Sequence, residues 1–211
     1  MKTWRSDRLE KESPALLWQL TKAGIFSALI ALVEERVLTG LLDTALPMSH
    51  PLYNVVLYFG IVAFSEESSK YLMLRRSSWR SPEFNCQYDG VVYAVFVSLG
   101  FALWENISYV MHYGFTTALV RALTAIPGHA CFGVFMGVFY GFAQKYDYRG
   151  QEGASKLCRV LAVVLPALLH GTYDYIASAN ASTWYFVGFV ALLFLLSYSL
   201  VGKMAKNDRF I

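Results

Sequence analysis

Charge is scarce in this chain: only 16% of its 211 residues are Asp, Glu, Lys or Arg, against about 25% in soluble domains. Cysteine is scarcer, and Cys86, Cys131 and Cys158 form neither an even disulfide framework nor a metal-ligand spacing. There is no HExxH zinc helix, no GxSxG elbow, no GxGD aspartyl motif and no GxxxxGK[ST] phosphate loop. Low-complexity tracts and internal repeats are also missing. The 18 basic residues exceed the 15 acidic ones by only three, too few to point to nucleic acid as a partner. What the chain has instead is apolar surface: 56% hydrophobic residues, 16% aromatic, and a mean hydropathy of +0.40. Soluble, disordered and collagen-like classes are thereby excluded, and a polytopic all-α membrane protein remains.

A bilayer core of about 30 Å needs roughly 20 helical residues to cross. Six stretches meet this requirement, near 14–34, 51–74, 90–111, 118–142, 157–177 and 183–202, in one membrane domain covering 1–211. The first is the weakest, because Lys22 leaves an uninterrupted apolar core of only Ala23 to Val33, the length of a signal-peptide core. Asp7, Glu10 and Glu12 among the leading bases argue against cleavage. Fourteen of the 18 basic residues fall before the first stretch, after the second, after the fourth and after the last, and the links around 43–50, 112–117 and 178–182 carry none. Both termini are therefore expected on the cytoplasmic side, with an even number of spans.

Against this apolar background the polar residues stand out. The second stretch carries Glu66, Glu67 and Lys70, the third Glu105 and Asn106, the fourth His129, and the fifth His170 and Asp174. A charged group near a span centre costs about 2.5 to 3.5 kcal/mol even on gentle insertion scales, so such groups turn inward onto partners or water. Helix ends read from the sequence put the Glu and His residues at depths about 12 Å apart, compatible with one site. Lys70 follows Glu66 at i+4 and Glu67 at i+3, so one carboxylate is expected to be neutralised and the other, turned about 100° away, to face a cavity. Asp174 follows His170 at i+4 and is placed to accept a proton from one ring nitrogen and leave the other for chemistry. His129, Gly133, Gly137 and Gly141 form a small-residue stripe that invites a neighbouring helix. Pro127 with Gly128, Gly133 and Gly100 is expected to open the gap between helices, Asp89 to cap the third stretch, and Glu34, Glu35 and Arg36 to lie at the outer interface.

Carboxylates and imidazoles together suit water activation, in which one group takes a proton from water attacking a carbonyl and another steadies the oxyanion. They equally suit a Zn²⁺ site with an open position, for which Glu105, His129 and His170 are candidate ligands. The residue types alone leave both open.

As an ordered set these residues resemble the PrsW-type intramembrane proteases. Glu66-Glu67-Ser-Ser-Lys70 is similar to their EExxK motif, and Phe101 to Glu105, continuing to Tyr109, to the second. His129 in PGHACFG and His170xxxAsp174 in LLHGTYDY resemble the third and fourth. The wider superfamily includes the type II CAAX prenyl endopeptidases, whose EExxxR, FxxxH and HxxxN differ from this chain at Lys70, Glu105 and Asp174. The resemblance implies catalytic roles for Glu66, Glu67, Glu105, His129, His170 and Asp174, supported by Lys70 and Asn106, with a metallo or a glutamic mechanism. It implies a membrane-anchored substrate such as an anti-sigma factor, and a bacterial or archaeal cell membrane as the location. A non-catalytic scaffold or immunity-type binding protein and a proton-coupled transporter are the alternative readings of the same buried polar set.

Overall fold

The structure, a computed structural model, describes residues 11–179 and 183–211. Lys2, Arg5, Asp7, Arg8 and Glu10 of the leading charge cluster, and residues 180–182 of the last link, lie outside the described residues. All the regular structure described is helical: α1 (Pro14–Ala45), α2 (Tyr53–Val55), a π-helical segment (Val56–Ala63), α3 (Phe64–Ser78), α4 (Asp89–Tyr113), α5 (Phe115–Tyr148), α6 (Glu152–Ser178) and α7 (Thr183–Lys206). Five of these, α1 and α4 to α7, are long and apolar enough to cross a bilayer. The second expected stretch is a continuous helical run from Tyr53 to Ser78, divided by the π segment into pieces of 3, 8 and 15 residues, none of them long enough by itself to count as a span.

The first stretch is longer than the sequence suggested. Ser13 caps it by accepting from the Leu16 amide at 3.2 Å, Pro14 fills the first turn, and the helix runs 32 residues without a break. At about 1.5 Å per residue it is near 48 Å long, well beyond the bilayer core. Glu35 therefore lies within the helix rather than at its outer end.

α4 is the central element, with buried residues on every face of its first three turns. Glycines let its neighbours approach. A Cβ on Gly24 of α1 would overlap the Val97 carbonyl of α4, and one on Gly100 would overlap that of Thr21, so α1 and α4 meet through reciprocal glycines. On the other side Gly90 faces Gly137 and Gly141 of α5, again backbone against backbone. The stripe below His129 is thus a packing seam, as its spacing suggests. Gly133 and Gly100 close the helices together instead of opening a gap, because each faces the neighbouring helix at contact distance.

Ser13, the loop before α4 and the carboxyl terminus meet at one end of the bundle. The Ser13 amide and hydroxyl donate to Glu83 at 2.9 and 3.0 Å, and the chain end pairs with that loop through the amides of Gln87 and Ile211 donating to the carbonyls of Arg209 and Asn85. Both ends of the described chain therefore sit on the same side. Asp89 does not cap its own helix; its carboxylate accepts from the amides of Asn85 and Cys86 at 3.1 and 2.7 Å and ties down the loop before it.

Candidate active site

The polar residues expected to turn inward do converge. α3 contributes Glu66, Glu67 and Lys70 on its first turns, immediately after the π segment. That segment is held by Phe59, which packs against Gly171 of α6 where any side chain would collide with its ring. Lys70 is fully buried, and its ammonium donates to Glu66 Oε2 at 3.0 Å, to Glu67 Oε1 at 2.8 Å and to His129 Nδ1 at 3.0 Å. The Phe101 ring lies beside it, 3.9 Å from the nitrogen. The expected division into one neutralised and one free carboxylate is not what forms: the lysine stem is long enough to reach between the two, and both glutamates bind it.

An ammonium has only donors, so His129 Nδ1 is an acceptor and the ring proton sits on Nε2. That N–H donates to Glu105 Oε2 at 2.8 Å, and the other Glu105 oxygen accepts from Arg121 at 2.5 Å. Arg121 in turn lies 3.5 Å from the centre of the Tyr109 ring. On α6, His170 donates from Nδ1 to Glu67 Oε1 at 3.0 Å, while its Nε2 stands 3.4 Å from Asp174 Oδ2. Its ring stacks on Phe132 at 4.8 Å. Asp174 does face His170, but the second nitrogen is not left over for chemistry, because Glu67 holds it. Asn106 stands apart: its Oδ1 is buried with no hydrogen-bond partner among the described residues.

Two participants were not singled out from the sequence. Arg121 is the cation that balances Glu105; its position two helical turns before His129 on α5 was the available signal. Glu35 lines a cavity of about 290 Å³ together with Arg36, Glu66, Trp104, Glu105 and Tyr109. Its apparent place at a helix end concealed it. Ala28, Leu32 and Glu35, spaced at i, i+4 and i+7, all line this cavity. Glu66 is thus the carboxylate that both touches Lys70 and borders open space, whereas Glu67 is sealed within the cluster.

One donor atom from each of Glu66, Glu67, His129 and His170 can be chosen so that all four lie within 4.8 Å of one another. Two imidazoles and two carboxylates are suitable ligands for Zn²⁺, and Glu67 Oε2 is buried without a partner among the described residues. The donor chemistry therefore fits a divalent metal. Lys70 sits among the same donors, touching three of the four residues, and would have to withdraw for a metal to take them. Glu105, expected as a ligand, instead holds the opposite nitrogen of His129.

Comparison with known proteins places the chain in this context. A profile described as "PrsW family intramembrane metalloprotease" matches residues 12–199. The chain is 38% identical over 148 residues to "Protease PrsW" of Bacillus subtilis (strain 168), covering 70% of this chain and 65% of that protein. It is 35% identical to the protein of the same name from Shouchella clausii, over 76% of this chain and 71% of the relative. Identity to that of Halalkalibacterium halodurans is 37%, over 76% and 72%. No solved structure matches the chain.

Proposed function

The chain belongs to the PrsW family of intramembrane proteases, and we propose that it hydrolyses a peptide bond of a membrane-anchored protein at the cluster around Lys70, with Glu66 as the water-activating base. The observation that carries this reading is the position of Glu66, bonded to Lys70 at 3.0 Å and bordering the cavity shared with Glu105. A water in that cavity can give its proton to Glu66 as it attacks, and Glu66 can return the proton to the leaving nitrogen. Glu67 is a positioning residue, fixing Lys70 and His170 through one oxygen. His129, oriented by Glu105 and Arg121, and the Lys70 ammonium place N–H donors and positive charge beside the reacting centre, where an oxyanion develops. His170 and Asp174 close the far side. Asn106 has no step in this scheme.

A divalent metal held by Glu66, Glu67, His129 and His170 would supply Lewis-acid polarisation of the scissile carbonyl. Zn²⁺ is the ion this donor set suits best.

The expected setting is a bacterial or archaeal cell membrane with both termini cytoplasmic, and the first substrate to test is a single-span anti-sigma factor. Purified protein in proteoliposomes with such a substrate should cleave it, and Glu66→Gln should lower the single-turnover rate by about 10²-fold or more with the protein still folded. Wild-type cleavage by Glu66→Gln would remove the base from the scheme. Ion flux through the same liposomes in place of cleavage would support a transporter.

A further inference from the structure

At the end of the bundle that carries both chain ends, α3 runs out through Arg75 and Arg76 to Arg80. These three arginines, with Leu72, Trp79 and Gln144, line a cavity of about 830 Å³ between the end of α3 and α5. Arg76 and Arg80 also border a second hollow of about 390 Å³ on the α1 side. Each hollow contains one carboxylate, and each carboxylate is already engaged. Asp147 accepts from Arg159 at 2.7 Å, and both oxygens of Glu83 accept from Ser13. Among the described residues, no carboxylate pairs with Arg75, Arg76 or Arg80, and all three are exposed. Trp79 stands among them with the Arg75 guanidinium 5.7 Å and that of Arg159 4.7 Å from its ring, which holds the cationic rim in place.

The same helix supplies an apolar approach. Phe64 and Leu72, about two turns apart on α3, are 50% and 56% exposed, and Leu72 lies one turn from Arg75 and Arg76. Exposed apolar side chains leading to guanidiniums that no described carboxylate pairs match a phospholipid, with acyl chain along the helix and phosphate at the arginines.

We infer that this cavity is a binding site for the headgroup of an anionic phospholipid, held by Arg75, Arg76 and Arg80. The site is separate from the polar cluster and does not depend on the protease reading. It would anchor α3 at the bilayer surface, the helix on which Glu66, Glu67 and Lys70 stand.

Native mass spectrometry of the detergent-solubilised full chain, titrated with phosphatidylglycerol or phosphatidylcholine, tests this. Arg75→Gln/Arg76→Gln/Arg80→Gln should weaken phosphatidylglycerol binding by about tenfold or more. Lys156→Gln/Lys203→Gln/Lys206→Gln, which removes equal charge from exposed positions at the same end, should change it less than about twofold. Equal losses in the two triple variants would mean diffuse attraction and overturn the site. Binding of soluble glycerol phosphate as tight as that of the lipid would also overturn it, in favour of a free-anion site. Should the arginine variant fail to fold, a photoactivatable phosphatidylglycerol on wild type decides: labels within 72–80 and 144–147 support the site, and labels confined elsewhere refute it.

Discussion

Lys70 organises the site because a fully buried ammonium must spend all three protons, and it does so on Glu66, Glu67 and His129. Removing the cation leaves two carboxylates facing each other without their shared partner. Lys70→Met should therefore lower stability by about 3–5 kcal/mol, as breaking a buried ion pair does. Adding Glu67→Gln to Lys70→Met should cost less than the sum of the two single changes, read from thermal unfolding in detergent; simple additivity would mean that the two groups do not interact. The same variant separates the two chemistries the donor set allows. Because Lys70 occupies donors that Zn²⁺ would need, Lys70→Met should bind Zn²⁺ at least about tenfold more tightly than wild type, and bound metal should restore part of the lost stability. His129→Ala and His170→Ala should lose metal binding. Equal Zn²⁺ affinity in wild type and Lys70→Met would place any metal away from this cluster.

Among the elements, α4 carries the greatest constraint, being clamped between α1 and α5 through glycines whose Cβ positions are filled by neighbouring backbone. Gly137→Leu should prevent folding or cost more than the usual ~1–3 kcal/mol of an overpacked site, since backbone cannot swing aside as a side chain can. Gly188→Leu on α7, where nothing lies within 4 Å of the new Cβ, is the control and should leave the protein intact. Size-exclusion profiles and unfolding midpoints of the two variants make the comparison. The π segment has a similar positional meaning. An extra residue in a helical turn changes the rotation at which the following helix begins, and here that helix begins two residues before Glu66.

For the whole molecule, the proposed cytoplasmic placement of both termini is supported by the meeting of Ser13, the loop before α4 and the carboxyl terminus at one end and by the basic residues of the sequence expected on that side. All three native cysteines are buried, so single introduced cysteines report sidedness. In intact bacterial cells Met48→Cys, at a residue 72% exposed near the opposite end, should react with a membrane-impermeant thiol reagent. Asn207→Cys should react only after permeabilisation; labelling of both in intact cells would reverse or break the orientation.

Much of this protein was legible in the sequence because a bilayer is an unforgiving solvent. Long apolar runs must be helices, and each ionisable residue within one must turn inward, so Glu66, Glu67, Glu105, His129, His170 and Asp174 could be picked out one by one. The motif order added the family. Tertiary structure alone decided which atoms meet. Helical spacing gives the direction of a side chain but neither the depth nor the rotation of its neighbours. It therefore could not reveal that Lys70 bridges both glutamates, that Glu105 takes the outer nitrogen of His129 and is balanced by Arg121, or that the long first helix brings Glu35 to the cavity. Glycines show the same division: their spacing marked a seam, but whether it opened or closed the helices depended on what stood opposite, and here that is backbone.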